Sequence, residues 1–451
     1  SYIHKSADFG ILLEELPYFR DCQIKRAKET EANFSQADSL LRAKNTKIYK
    51  GSVLEHLLVQ TIVQFFNVGK HNIIRLENAD WNDGLDMAAQ NGESVVFTFM
   101  YAHNLENLCA LLEELKRKTK NVYLLKELKI LLDNLNKPVD YDSFREKQKR
   151  LEEYFRQTTT ISGEKIKVDI DELISDLKAK SKHMSRWLKK KEWLKSGFFN
   201  GYYDNKLKRV EGNINGKTRM MLSSQVFAIM SGVAENDQIK KIWSSIKKYL
   251  YDKKHGGFRL NTDFGSLYLD LGRAFGFSYG DKENGAFFSH MSVMLANALY
   301  KRGFVNEGFE VINSLYRMAI SENAKIYPLL PEYFNSQGRG LYLYLTGSAS
   351  WYIYTLLEEA LGIKFNYGDL VIEPKLLPSN FSGNNIETLF TLESKQIKVN
   401  FIRAAGRKEH YKIKDVFLNG KKIIREEGKY LIKRKSLLKK NKNNIIKVCL
   451  Y

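Results

Sequence analysis

The spacing of apolar residues changes once along this chain, and that change limits the folds open to it. Up to about residue 363, apolar side chains recur at helical spacing in segment after segment. Leu54, Leu57, Leu58, Ile62, Phe65 and Phe66 make one stripe between Ser52 and Val68. Val95, Phe99, Leu105, Leu108 and Leu112 make a second between Gly92 and Arg117. The stretches Ala7–Phe19, Tyr123–Leu135, Asp142–Gln157, Asp169–Lys195, Ser223–Gly232, Gln238–Tyr251, Met291–Tyr300, Asn306–Ile320 and Ser348–Leu361 also read as helices. From about Lys364 the apolar residues alternate instead, in Leu370-Val371-Ile372 and in Gln396–Phe401, and Asn419-Gly420 is a hairpin turn signal. The pattern predicts a mainly α chain: a helical body over 1–363, then a small β-sandwich or jelly roll over 364–451. Successive helices joined by short loops that carry the chemistry suit a toroid of helical pairs.

Composition supports a folded, helix-rich chain. Of the 451 residues 43% are hydrophobic, enough for a sizeable core, and six prolines are few for a loop-rich all-β protein. No apolar run is long enough to cross a membrane, and the N-terminus lacks a secretory pattern. Cys22, Cys109 and Cys449 are widely spaced and read as free thiols of a reducing compartment, so a cytoplasmic location is expected. The chain opens on Ser1-Tyr2-Ile3 without Met, which reads as a processed chain or a piece of a longer one. The net charge is +20. Phe401–Tyr451 holds 16 Lys/Arg against 4 Asp/Glu, an excess of 16 − 4 = +12. Those lysines alternate with Ile, Val and Leu as on the wet face of a sheet. No nucleic-acid motif accompanies them, so neither nucleic acid nor membrane is expected as a partner. The run Ser185–Lys191 reads as a Lys-rich outer face with Trp187 and Trp193 turned inward.

The stretch Asn78–Asp86 gathers Asp80, Asp83 and Asp86 beside Trp81, and Gly84 marks it as a loop. An indole stacks on the apolar face of a pyranose, and an apolar neighbour raises a carboxyl pKa toward that of a general acid. A polar turn, with Asp80 or Asn82 capping backbone amides, explains the same composition. Further along, Thr346-Gly347 opens a helix. Its free backbone NH groups, its dipole and a glycine that allows close approach suit an oxyanion. A plain capped helix start is the alternative there.

Asp80-Trp81-Asn82-Asp83-Gly84 resembles the Asp-Trp-Asn-Asp-Gly signature of glycoside hydrolase family 94, the inverting disaccharide phosphorylases. Other stretches resemble that family in the same order: Gly92-Glu93-Ser94, the Tyr-Asp segment at Asp204, Ser223–Ala228, Lys282-Glu283-Asn284-Gly285-Ala286-Phe287-Phe288-Ser289-His290, and Leu345-Thr346-Gly347-Ser348-Ala349-Ser350-Trp351. Position 286 is Ala where the family commonly has Gly. The resemblance implies an (α/α)6 toroid of which this chain supplies the later helices; the family's N-terminal β-sandwich, linker and first barrel helices have no counterpart here.

The implied chemistry is inverting phosphorolysis of a β-glucoside to an α-sugar 1-phosphate. Asp83 is the implied general acid. Trp81, Asp80, Gln225, Glu283 and Tyr333 are implied substrate contacts, with Gln225 as a hydrogen-bond donor to sugar. His290, Thr346 and the amide of Gly347 are implied phosphate ligands. Glu93 is expected to cap its helix, with contact to the site as the alternative. Inorganic phosphate is a co-substrate, and no metal or organic cofactor is implied. Family members commonly dimerise, so a homodimer is the assembly the resemblance points to. Two alternatives stay open: a hydrolase or transglycosylase on the same barrel, and a truncated carbohydrate-binding chain without activity.

Overall fold

The computed structural model describes residues 2–20, 22–24, 29–77, 84–343, 346–404, 411–426, 428–438 and 443–451. In chain order the helices are α1 (Tyr2–Ser6), α2 (Val53–Phe66), α3 (Val95–Leu115), α4 (Phe144–Thr158), α5 (Ile170–Lys191), α6 (Leu222–Met230), α7 (Asn236–Tyr249), α8 (Ser289–Lys301), α9 (Val305–Ile320), α10 (Gly347–Tyr354) and α11 (Arg434–Leu437). A π-helical turn, Thr355–Ala360, continues α10. Side-chain caps start many of them. Ser52, Ser94 and Ser143 each accept from the NH three residues on, and Asp169 accepts from Asp171 and Glu172.

The helices pack as neighbours: α3 on α5, α6 on α8, α8 on α9, and α10 on α8. One apolar core joins α3 to α6–α9, around Phe99, Val226, Leu295 and Leu315. A second lies between α2, α3 and α5, around Leu58, Phe65, Leu112 and Leu177. Among the described residues the chain is helix-rich with several small sheets, and the helices do not close into a barrel. None of them is long and apolar enough to cross a membrane.

Two helices expected from spacing are not formed. Over Ala7–Phe19 the chain makes a 3-10 turn, Gly10–Leu13, and then a strand, Glu15–Pro17, paired with Lys50–Ser52. Leu12 is buried there while Leu13 and Leu16 are exposed, so the apolar residues never shared one face. Over Tyr123–Leu135, the strand Asn121–Leu125 pairs antiparallel with Lys165–Asp169 and two 3-10 turns follow. Tertiary acceptors take the backbone amides a helix would need. Leu125 NH donates to the buried Glu55 carboxylate at 2.7 Å and Lys126 NH to the Glu164 carbonyl at 2.9 Å.

The last part of the chain is β. A four-stranded sheet runs in the order Ile363–Asn366, Asp369–Ile372, Lys429–Ile432, Arg425–Glu426. A five-stranded sheet runs Asn385–Leu392, Lys395–Arg403, Asn443–Leu450, Ile413–Leu418, Lys421–Ile423. Their shared core includes Ile372, Ile397, Phe401, Val416 and Ile446. At the hairpin, Asn419 and Gly420 have φ of 49° and 81°, both in the left-handed region that a type I′ turn requires.

Buried carboxylates bind the loops to the helical body. Glu211 is 2% exposed. It accepts from Met221 NH at 2.7 Å and Ser224 Oγ at 2.5 Å. Its own NH donates to Asn200 Oδ1, and Asn200 Nδ2 donates to Glu192. Tyr203 OH also donates to Glu192, and the Tyr203 ring stacks on His71 with centroids 3.7 Å apart. His71 in turn donates its backbone NH to Glu93, which contacts the ring Nδ1 as well. Glu93 therefore holds His71, and Ser94 caps α3 instead.

Burial pushes the Glu211 carboxyl up to about 8 from 4.5, against the lowering effect of its donors. The folded state thus binds a proton that the unfolded chain has released between pH 4.5 and 8. This contribution to stability is fully present below 4.5, shrinks as pH rises, and levels off above 8, a change on the order of a few kcal/mol. Thermal melts from pH 5 to 9 are expected to show the melting temperature falling with pH. Glu211→Gln, which cannot ionise, is expected to flatten that fall.

Candidate active site

Asp80, Trp81 and Asp83 lie outside the described residues, as does Leu345. What the structure does show is how the chain on both sides of the acidic stretch is held. Before it, Leu76 NH donates to the Gly92 carbonyl at 2.8 Å. After it, Ala274 NH donates to the Gly84 carbonyl at 3.0 Å, Arg273 NH to Asp86 Oδ1 at 3.2 Å, and Met87 NH to the Leu271 carbonyl at 3.3 Å. A side chain at Gly272 would place Cβ 2.0 Å from the Gly84 carbonyl oxygen, so only glycine lets these two strands of chain meet.

A second clasp comes from Asn205. Its Oδ1 accepts from Gln90 NH at 3.2 Å and Asn91 NH at 3.0 Å, and its Nδ2 donates to the Met87 carbonyl at 2.9 Å. Its own carbonyl accepts from Asn91 Nδ2 at 3.1 Å. The adjacent Asp204, 2% exposed, builds the turn that presents it. Asp204 Oδ1 accepts from the NH groups of Lys206 and Lys208, both at 2.9 Å, while Oδ2 accepts from Tyr268 OH at 2.8 Å. Burial, together with that bond to Asp204, pushes the Tyr268 hydroxyl up to about 12. A Lys206–Asp270 ion pair at 2.8 Å joins the same two segments.

His290 and Gly347 stand far apart in sequence and meet in space. His290 is the second residue of α8, and Gly347 is the first of α10. A Cβ at Gly347 would lie 2.8 Å from His290 Cε1, 3.2 Å from Nδ1 and 3.4 Å from Nε2. The missing side chain is therefore what lets the first turn of α10 rest on the imidazole. Thr346 caps α10: its Oγ1 accepts from Ser348 NH at 3.2 Å and shares a hydrogen bond with Ser348 Oγ at 2.9 Å. The Trp351 ring lies 6.1 Å from that of His290. Burial lowers the His290 pKa, and the charge of Glu332 works against this. The imidazole is therefore mostly neutral near pH 7. Two helix starts, a threonine hydroxyl and a neutral imidazole converge here, a donor-rich arrangement suited to an anion.

The other residues expected from sequence divide. Glu283 is half-buried and sits in a turn closed by Asn284 NH donating to the Asp281 carbonyl at 3.0 Å. Asn284 is pinned by Asn261 at 3.1 Å and by the Phe277 carbonyl at 2.8 Å. Gly285 has φ of 77°, and a Cβ there would meet the Tyr279 ring at 2.2 Å. Tyr333 pairs with Phe288 in the small sheet that leads into α8, and burial pushes its hydroxyl up to about 12. It is 4% exposed, and its ring stacks on that of Phe288, two residues before His290.

Gln225 corrects the sequence expectation. It is fully buried, its Oε1 accepts from Phe199 NH at 2.9 Å, and its Nε2 donates to the Phe199 carbonyl at 2.9 Å. Its remaining contacts are Met221 and Glu211 at 3.3 and 3.5 Å. The carboxamide brackets a loop and has no donor left for sugar. The clasp made by Asn205 and the Asp204 turn has one signal in the sequence, the Tyr-Asp segment. The lysine run on α5 lines a groove of about 720 Å³ with Lys182, Arg186 and Lys190. Arg186 and Lys189 pair with Asp142 and Glu235, so the face is partly neutralised.

A model of the Glycosyl hydrolase 94 superfamily, catalytic domain, matches residues 21–150 and 151–362. The chain belongs to that superfamily. It is 20% identical over 436 residues to the solabiose phosphorylase of Paenibacillus borealis, a match covering 94% of this chain and 45% of that protein. It is 26% identical over 175 residues to the N,N'-diacetylchitobiose phosphorylase of Vibrio furnissii, covering 37% of this chain and 22% of that one. The chain thus spans less than half the length of these relatives. Among solved structures, a GH78 family rhamnosidase of Bacillus sp. GL1 aligns with a TM-score of 0.39 at 11% identity, over 77% of this chain and 29% of that one.

Gly347→Ala tests the contact between the start of α10 and His290. The added methyl is expected to push the imidazole out of its packed position. The His290 pKa, followed by NMR titration, should then move up toward the ordinary histidine value. An unchanged titration would mean that the ring and α10 do not touch in solution.

Proposed function

We propose that this chain carries out inverting phosphorolysis of β-linked glucosyl disaccharides or short oligosaccharides, releasing an α-sugar 1-phosphate. Membership of a superfamily whose named relatives include disaccharide phosphorylases supports the reaction class. The observation that carries it within this chain is the seating of His290 against Gly347, beside the Thr346 cap.

In this reading residues 1–363 are the catalytic domain, the later part of an (α/α)6 toroid, and 364–451 are a β domain. Asp83 protonates the glycosidic oxygen as the bond from the anomeric carbon to that oxygen breaks. A phosphate oxygen forms its bond to the same carbon from the opposite face, so the configuration inverts. The proton Asp83 gives up is replaced by the one the hydrogen phosphate dianion loses on becoming an ester. Phosphate is itself the nucleophile, so the reaction needs no second carboxylate as base. His290, Thr346 and the Gly347 amide hold the phosphate, and the neutral imidazole gains its proton more readily once the dianion sits beside it. Trp81 and Asp80 shape the donor sugar site, and Glu283 binds the acceptor-side sugar. A homodimer is the expected assembly.

The test is release of sugar 1-phosphate by the full gene product from a panel of β-linked glucobioses, with and without phosphate. Release is expected only with phosphate, and Asp83→Asn should lower it on the order of 10²–10⁴-fold. His290→Ala should raise the KM for phosphate roughly tenfold to a hundredfold, the loss of one charge-assisted hydrogen bond. Reducing sugar formed equally well without phosphate would replace this reading with hydrolysis.

A further inference from the structure

The acidic stretch ends at Asp86, and the next residues of chain, Met87–Asn91, are bonded by Arg75 at the Gln90 carbonyl, by the Leu271 carbonyl at the Met87 amide, and at three backbone positions by Asn205. Asn205 contacts that segment at three backbone positions: the carbonyl of residue 87 and the amides of residues 90 and 91. The distances of 2.9, 3.2 and 3.0 Å are those of ordinary hydrogen bonds. Its backbone carbonyl adds the bond from the Asn91 side chain. Asparagine fits the task because one planar amide both accepts two NH groups and donates to a carbonyl.

The clasp is itself fixed. Asp204 locks the turn from below, with Leu207 at φ of 63°. The preceding Tyr202-Tyr203 pairs as a strand with Glu93-Ser94, at the start of α3. Tyr268 and Asp270 tie the same turn to the 271–274 segment that receives Gly84, Asp86 and Met87. Two clasps, joined to each other, thus grip the chain between Gly84 and Asn91.

We propose that Asn205 is a positioning residue for acid catalysis: by clamping Met87–Asn91 it holds the chain that follows the acidic stretch, and proton delivery by Asp83 depends on that hold. The inference rests on the reading of Asp83 as the general acid. Asn205 touches neither sugar nor phosphate in this role and acts only through the backbone. Its loss therefore harms the step in which a proton is delivered and spares steps that need none.

Leaving groups separate the two cases. A sugar alkoxide leaves only if protonated, whereas a dinitrophenolate leaves without help. Asn205→Ala is expected to lower kcat on a β-glucobiose by about a hundredfold, the scale of a misaligned catalytic group. Turnover of 2,4-dinitrophenyl β-glucoside with phosphate should change little, and the KM for phosphate should hold. Asn205→Asp keeps the acceptor for Gln90 and Asn91 but loses the donor to Met87, so it should recover part of the rate. Equal losses on both substrates, or none, would overturn the proposal. Asp83→Asn runs beside it: if that variant shows no leaving-group dependence, the acid assignment is what has failed. A readout free of chemistry decides the clamp in that event. Amide hydrogen exchange over residues 84–92 should speed up in Asn205→Ala while the α8 and α10 amides stay as in the parent. Unchanged exchange over 84–92 would reject the clamp itself.

Discussion

A carboxylate shut away from water must be given donors, and Glu93, Glu192 and Glu211, each at most 2% exposed, impose that demand on the loops of the helical body. Glu211 collects Met221 and Ser224 from the start of α6. Glu192 at the end of α5 collects Asn200 and Tyr203. Glu93 collects His71. These contacts link the loops to one another and to the ends of α5 and α6, so this side of the helices carries one connected polar layer. Removing a single partner would strand a buried acid, which is the more costly event. The raised pKa values of Glu192 and Glu211, both caused first by burial, are the electrostatic record of that demand.

The candidate site uses this layer as its floor. Tyr203, bound to Glu192, is followed directly by Asp204 and Asn205, and these grip the chain beyond the acidic stretch. On the other side, α8 and α10 start next to each other because α8 packs against α10 and because residue 347 has no side chain to keep His290 away. Glycine serves the same purpose at Gly272, where the carbonyl of Gly84 occupies the place of a Cβ. At both points the site is built by backbone approaching closely, and a methyl group would block the approach.

Much of this was legible in the residues. The helical stripes of α2, α3, α7 and α9 are regular, and their burial follows the spacing, whereas α8 is buried all round from Met291 to Tyr300. The shift to alternation near residue 364 marks where the four- and five-stranded sheets begin, at Ile363. The motif around His290 and the one around Gly347 were each visible, and the structure adds that they touch. Two stretches with helical spacing are not helices: over Tyr123–Leu135 amides are spent on distant acceptors, Leu125 on Glu55 and Lys126 on Glu164, and over Ala7–Phe19 the chain pairs as a strand with Lys50–Ser52. Glu93 was misread as a cap because its partner His71 lies in another loop, and Ser94, one residue on, already does the capping. Gln225 was misread because hydrogen-bond saturation by Phe199 is invisible in a one-dimensional pattern.

By itself the sequence determined which stretches are amphipathic, where the period changes, and which residue types stand ready for acid chemistry and anion binding. These are local properties, set by side-chain spacing and backbone propensity. The tertiary structure decided which of those residues face each other and which are used up. It brought His290 onto Gly347, consumed Gln225, and set Asn205 on the chain that follows the acidic stretch. Burial and hydrogen-bond partnership are properties of pairs distant in sequence, and only the packed chain sets them.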